Sequence, residues 1–368
     1  MKKNFFMLAA TAALFAACAE TELVNEVNVE GTQQEIGFST FANKVTRAEN
    51  STESTVNGLE GHHADFDVWA YKNTMNPGYV FKDVVVSYQS ASDKWQYEGL
   101  KYWDKAANTY YFYAAAPSRV DWILNQNDAA KQEDDYFTFA NFVLENRTLT
   151  STSYVQSLKD ATNQDLMIAS PEKVEEAAIL SAATVQLDFN HILSRLNITV
   201  AKSATLADEA VALTSISVNN LPNAGSFDES LADVNQNATV ARWTLTGDKG
   251  YITGNKLAAV STTSAYVIQS LVIPQNVAYQ AIDRDGTNNK TTVAPYLYIE
   301  YTIGGEPFNA SYNLANAFGS TANPVAFNEG WQNTLNITLD AATIVFDAVT
   351  FEWEDYKEFD KTFGNETF

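Results

Sequence analysis

Three histidines, one cysteine and a large surplus of carboxylates are the material from which any reaction centre in this 368-residue chain must be drawn. His62 and His63 with Asp65 are residue types that hold zinc. Neighbours on an extended segment point to opposite faces, however, so the two imidazoles cannot readily share one ion. The plainer reading is a loop leading into a strand. Asp283-Arg284-Asp285-Gly286-Thr287-Asn288-Asn289 opens like a calcium loop, but the twelfth position counted from Asp283 is Ala294, where an acidic ligand is required. A hairpin turn fits that stretch better. His191, between Phe189 and Ile192, reads as a structural histidine at a strand end. A single cysteine excludes an intramolecular disulfide framework and any cysteine-rich metal site. No HExxH, phosphate-cradling glycine loop, G-x-S-x-G elbow or zinc-finger spacing is present. Two acids distant in sequence can still form a glycosidase pair, yet plentiful Asp and Glu are what any acidic surface supplies. The expectation is a protein that is not an enzyme and needs no cofactor or metal.

Aromatic side chains are the other candidates. Trp69, Trp95, Tyr97, Tyr102 and Trp103 could form a platform that stacks on sugars, which makes a monomeric surface glycan-binding lipoprotein the alternative function. Their alternating spacing suits a hydrophobic core better.

What must position these residues is set by composition. Apolar residues make up 46% and charged residues 18%, enough apolar mass to fold. At ~100–200 residues per domain the length suggests two or three domains. The net charge of −22 repels phosphate backbones and argues against nucleic acid as a partner.

The chain begins with a targeting pattern. Lys2 and Lys3 precede an apolar run over residues 5–17, shorter than the ~20 residues a membrane-crossing helix requires. The run ends Leu14-Phe15-Ala16-Ala17-Cys18, small residues before a solitary cysteine, which resembles a bacterial lipobox. Residues 1–18 are therefore read as a lipoprotein signal peptide and Cys18 as the lipid-bearing first residue after its removal, with acyl chains as the membrane anchor. Residues 19–35 form an acidic, polar tether. Glu35-Ile36-Gly37-Phe38-Ser39-Thr40-Phe41 alternates at Ile36 and Phe38 and reads as a short strand. Arg47-Ala48 follows in a polar stretch without apolar periodicity, accessible to a protease that cuts after arginine. Residues 19–47 then act as a propeptide that carries a removable strand.

Beyond residue 55, β-branched and aromatic alternation bounded by Gly, Asn, Asp and Ser predicts many short strands, among them residues 66–71, 79–86, 109–114, 185–189, 196–200, 296–301, 334–339 and 344–353. Helical turns are predicted over 174–181 and around Ile192 to Arg195, and an acidic loop flanking a short helix over 124–135. The fold class is all-β, sandwich-like, with few short helices. A domain boundary is placed near Ala182, giving domains over 48–182 and 183–368.

Several stretches resemble the fimbrillin family of Bacteroidales type V pilins. They are Lys101-Tyr102-Trp103, Tyr111-Phe112-Tyr113-Ala114-Ala115-Ala116-Pro117, Asp165-Leu166-Met167-Ile168-Ala169, Leu187-Asp188-Phe189-Asn190-His191-Ile192-Leu193-Ser194-Arg195-Leu196, Leu271-Val272-Ile273-Pro274-Gln275 and Gly330-Trp331-Gln332-Asn333. The resemblance implies two transthyretin-like β-sandwich domains, export to the outer membrane surface, cleavage after Arg47, and polymerisation into a fimbria by strand donation between subunits, in support of adhesion or biofilm. The partners it implies are other copies or related pilin subunits, an arginine-specific protease, and a host or bacterial receptor. A C-terminal tail past Trp353 carries Tyr356, Phe359, Phe363 and Phe368 and is the candidate donor strand.

Overall fold

The computed structural model describes residues 34–42, 65–73, 78–89, 91–92, 94–118, 121–126, 134–143, 147–148, 166–231, 242–247, 249–277, 294–319, 324–341 and 343–352. Cys18, Arg47, Ala48, His62, His63, residues 283–289 and the four tail aromatics lie outside them.

Strands dominate. The first part of the chain gives β1 (Phe38–Ala42), β2 (Phe66–Asn73), β3 (Gly78–Gln89), β4 (Lys94–Tyr97), β5 (Thr109–Ala116), β6 (Ile123–Asn125), β7 (Tyr136–Val143), β8 (Arg147–Thr148), β9 (Met167–Glu175) and β10 (Val185–His191). The rest gives β11 (Ser194–Lys202), β12 (Val211–Pro222), β13 (Ala224–Asp228), β14 (Trp243–Leu245), β15 (Lys249–Thr253), β16 (Ala265–Val272), β17 (Gln275–Val277), β18 (Tyr296–Ile303), β19 (Glu306–Asn313), β20 (Val325–Phe327), β21 (Trp331–Leu339) and β22 (Ile344–Glu352). Among the described residues two short α-helices, α1 (Glu176–Ser181) and α2 (Leu314–Ala317), interrupt them. No helix among the described residues is long and apolar enough to cross a membrane.

The expectation of an all-β, sandwich-like fold holds. One seven-stranded sheet runs β1-β10-β9-β5-β2-β3-β4 and encloses a core that includes Ile36, Phe38, Phe66, Phe81, Phe112 and Phe189. Strict alternation builds its inner face: along β10, Val185, Leu187, Phe189 and His191 are buried while Gln186, Asp188 and Asn190 are exposed. Two further sheets, β16-β11-β21-β22 and β19-β18-β12-β15-β8, share a second core. Leu196, Ile198 and Val200 from the one and Leu213, Ile216, Leu297 and Ile299 from the other contribute to it. The two sheets leave no room for a side chain at Gly254, where a Cβ would lie 2.5 Å from Ile216 Cγ2 and 2.7 Å from Ile268 Cγ1.

Residues 192–195 do not form the expected helical turn. Ile192 and Leu193 are a bend, and Ser194 starts β11, which pairs in parallel with β21 and antiparallel with β16. The apolar spacing of Ile192, Leu193 and Leu196 suits a helix locally, but two flanking strands claim the backbone hydrogen bonds. This bend is where the chain passes from one core to the other. Ile192 N–H donates to Leu166 O at 2.9 Å, Ile192 O accepts from Trp243 Nε1 at 2.9 Å, and Leu193 O accepts from Gly330 N–H at 2.9 Å.

A fourth sheet, β14-β13-β7-β6, takes strands from both parts of the chain. Phe139 on β7 stacks on Phe227 on β13 at 5.5 Å, and Trp243 meets Phe139 edge-on at 5.4 Å. Trp69 and Trp122 pack on Phe137 of the same β7. Beside this cluster, Arg242 reaches the loop before β21, where Nε donates to Glu329 Oε1 at 3.2 Å and Nη2 to Oε2. Its guanidinium lies 5.4 Å from the centre of the Phe227 ring.

Asp67 on β2 is a buried acid, 4% exposed. Burial, with the charges of Asp83 and Asp65 adding to it, pushes its carboxyl from 3.8 up to about 7. The folded state thus holds a proton that the unfolded chain releases, so this contribution to stability is complete below about pH 4 and is lost as pH rises through about 7. Asp67→Asn is expected to match the parent chain at about pH 4 and to be the more stable of the two at about pH 8, read from denaturant midpoints. Parallel pH profiles for the two proteins would contradict this.

Candidate functional site

The segment over residues 34–42 forms a seam between the two ends of the seven-stranded sheet. On one side β1 pairs in parallel with β10, with Phe38 opposite Val185, Thr40 opposite Leu187 and Ala42 opposite Phe189. Val185 N–H donates to Gly37 O at 2.8 Å. On the other side the residues before β1 meet the stretch that follows β4: Ile36 N–H donates to Lys101 O at 2.9 Å, Trp103 N–H donates to Gln34 O at 3.0 Å, and Glu35 bridges Tyr102 in antiparallel fashion. The Tyr97 hydroxyl donates to Ile36 O at 2.8 Å.

Side chains follow the period of two that the sequence showed at Ile36 and Phe38. Gln34 and Glu35 are exposed; Ile36, Phe38 and Thr40 are buried at 0%, 6% and 5% exposure. Phe38 sits among four rings, with centroids at 5.4 Å to Phe81, 5.8 Å to Tyr97, 6.0 Å to Phe112 and 6.4 Å to Phe66, all nearly edge-to-face. That geometry favours aromatic pairs by ~0.5–1.5 kcal/mol each beyond area burial. Burial pushes the Tyr97 hydroxyl up to about 12, so it stays a neutral donor across ordinary pH.

Walls of the seam are fixed by contacts that do not involve β1. Lys72 Nζ lies 2.7 Å from Asp104 Oδ2, and Asp104 N–H donates to the Tyr110 hydroxyl at 2.9 Å. The hydrogen bond from Lys72 holds the Asp104 carboxyl below its usual range. The opposite wall, β10, is held by β9 through Asn190 opposite Ile168 and His191 opposite Met167.

Of the sequence-derived site residues, Ile36 and Phe38 are brought together in this seam, while Cys18, Arg47, Ala48 and the tail positions fall outside the described residues. Thr40, Tyr97 and the socket rings were not singled out for this role. Extending the alternation two residues past Phe38 would have found Thr40; the socket rings, on β2, β3, β4 and β5, have no local signal. The aromatics considered as a sugar platform do not gather on one surface. Trp69, Trp95 and Trp103 are buried, Trp69 in a different cluster from the other two, and only Tyr102 is exposed.

A profile of the fimbrillin-like family matches residues 46–353. The chain belongs to the fimbrillin-like family. No curated protein matches it. Among solved structures, a fimbrial protein from Bacteroides vulgatus ATCC 8482 is similar, with 16% identity, 87% of this chain and 100% of that chain covered, and a TM-score of 0.48. The tip fimbrial protein Mfa3 from Porphyromonas gingivalis, solved with a C-terminal truncation, shows 9% identity over 79% of this chain and 94% of its own, with a TM-score of 0.41. The fimbrillin-like match begins after β1 and ends before the tail, so the seam strand and the candidate donor both lie outside the region shared with the family profile.

Proposed function

We propose that this chain is a subunit of a cell-surface fimbria, exported as a lipoprotein precursor with lipid on Cys18 and held at the outer membrane until an arginine-specific protease cuts between Arg47 and Ala48. The cut releases β1, and the seam is refilled by a strand from a neighbouring subunit. The assembled fimbria supports adhesion or biofilm formation. One observation carries this reading: residues 34–42 complete the sheet with their own backbone and the two large apolar side chains of Ile36 and Phe38, yet their covalent link to β2 runs through the stretch that contains Arg47.

The physics of exchange follows from that arrangement. While the chain is intact, β1 returns to its seam as an intramolecular partner at an effective concentration of roughly millimolar. Cleavage removes that advantage, and the strand is held by noncovalent contacts alone. Once it leaves, unpaired N–H and C=O groups of β10 and of residues 101–103 face a vacated apolar slot, an arrangement that another extended segment repairs by β-addition. The contacts of Asp104 with Lys72 and Tyr110 keep the receiving edge in place. Donor and acceptor surfaces differ, so the contact is head-to-tail and grows as a filament rather than closing into a dimer. The tail with Tyr356, Phe359, Phe363 and Phe368 is the candidate donor toward a neighbour's groove.

Cells expressing the parent chain are expected to carry a surface form whose N-terminal sequence starts at Ala48 and which enters detergent-resistant assemblies. Arg47→Ala is expected to hold the chain in its membrane-anchored form and to remove it from those assemblies. An Arg47→Ala chain that assembles as the parent does would overturn the reading.

A further inference from the structure

The slots filled by residues 36–40 are specific enough to define what can replace that segment. Ile36, Phe38 and Thr40 occupy three successive inward positions, each almost completely buried. A replacement strand must therefore bring uncharged side chains at three alternate positions, with a ring at the middle one to fill the space among Phe66, Phe81, Tyr97 and Phe112. The tail offers four rings. At two residues' distance, Tyr356 has Glu354 and Glu358, Phe359 has Lys357 and Lys361, Phe363 has Lys361 and Asn365, and Phe368 has Glu366 before it. Positions i−2, i and i+2 of a strand share a face. Every alignment that seats one of these rings consequently drives a charge into the slot of Ile36 or of Thr40, and this holds whichever way the strand runs. A buried charge without a partner is among the costliest defects a core can carry.

We infer that the vacated groove rejects the tail of its own kind and accepts a strand from a different subunit, one carrying an aliphatic, an aromatic and a small uncharged side chain at successive alternate positions. Copies of this chain then join unlike neighbours through this groove. The inference rests on the proposed removal of β1, and the experiment separates the two. The full chain is cut after Arg47 and offered three labelled peptides: residues 33–45, residues 354–368, and the latter carrying Lys357→Ile and Lys361→Thr, which places Ile, Phe359 and Thr at alternate positions. Capture is read by fluorescence anisotropy. The first and third peptides are expected to bind, and the native tail to bind roughly 100-fold more weakly. Equal capture of the native tail overturns the inference, as does a substituted tail no better than the native one, because charge would then not be what excludes it. If the peptide of residues 33–45 is itself not captured, the removable strand falls, and the selectivity with it.

Discussion

Phe38→Ala is expected to destabilise the intact chain by about 3–5 kcal/mol, the range for deleting a fully buried aromatic ring from a packed core. The ring touches four others, on β2, β3, β4 and β5, and those partners are themselves in mutual contact: Phe81 lies 5.1 Å from Tyr97 and 6.3 Å from Phe112. Such a cage closes only partly around a missing ring, so the cavity cost adds to the lost transfer energy. Glu35→Ala, two residues before Gly37 on the exposed side, is the control and should change stability by less than about 0.5 kcal/mol. Equilibrium urea unfolding of the two variants decides the matter. A Phe38→Ala midpoint equal to that of the parent would mean that β1 is not part of the cooperative fold. The prediction is independent of what happens after cleavage, since it concerns only the closed form.

The second large effect lies far from the seam. Arg242→Ala should cost about 3–5 kcal/mol, because it removes the cation that opposes burial at Glu329, whose carboxyl is already pushed up to about 7 and then takes up a proton with its hydrogen-bond partners gone. The Glu329 side chain is only 3% exposed and takes two hydrogen bonds from the guanidinium. Replacing both partners by apolar residues of similar size, Arg242→Met with Glu329→Leu, should recover most of the loss, since the desolvation penalty disappears along with the attraction. A double-mutant cycle on unfolding free energies measures this coupling. Additive single and double variants would show that the pair is not coupled in the folded state.

Local pattern and long-range pairing divide what could be read in advance. Alternation at Ile36 and Phe38 announced a strand before any fold was known, because one buried face imposes a period of two. The runs at 66–71, 109–114 and 334–339 fell into β2, β5 and β21 for the same reason. That β1 would lie parallel to β10, nearly the whole first half of the chain away, has no local signature. Nor has the meeting of Arg242 with Glu329. At residues 192–195 the local signal pointed the wrong way: an Ile-Leu-Ser-Arg run looks helical in isolation, and only the neighbouring strands β16 and β21, contributed by later residues, make it a bend and a strand. The buried tryptophans teach a similar lesson. Trp69 and Trp103 are close enough in sequence to suggest one surface, yet they face different cores, because β2 directs Val68 and Trp69 to opposite sides.

The sheet β14-β13-β7-β6 has a mechanical meaning. It draws strands from residues that precede the bend at Ile192 and from residues that follow it, and it buries Phe139, Phe227 and Trp243 between them. The two portions are therefore joined by backbone bonds between β7 and β13 as well as by the chain itself at Ile192. Parting the two portions of the chain requires breaking the β7–β13 pairing, from Ala224 opposite Val143 to Asp228 opposite Thr138, together with its ring stack.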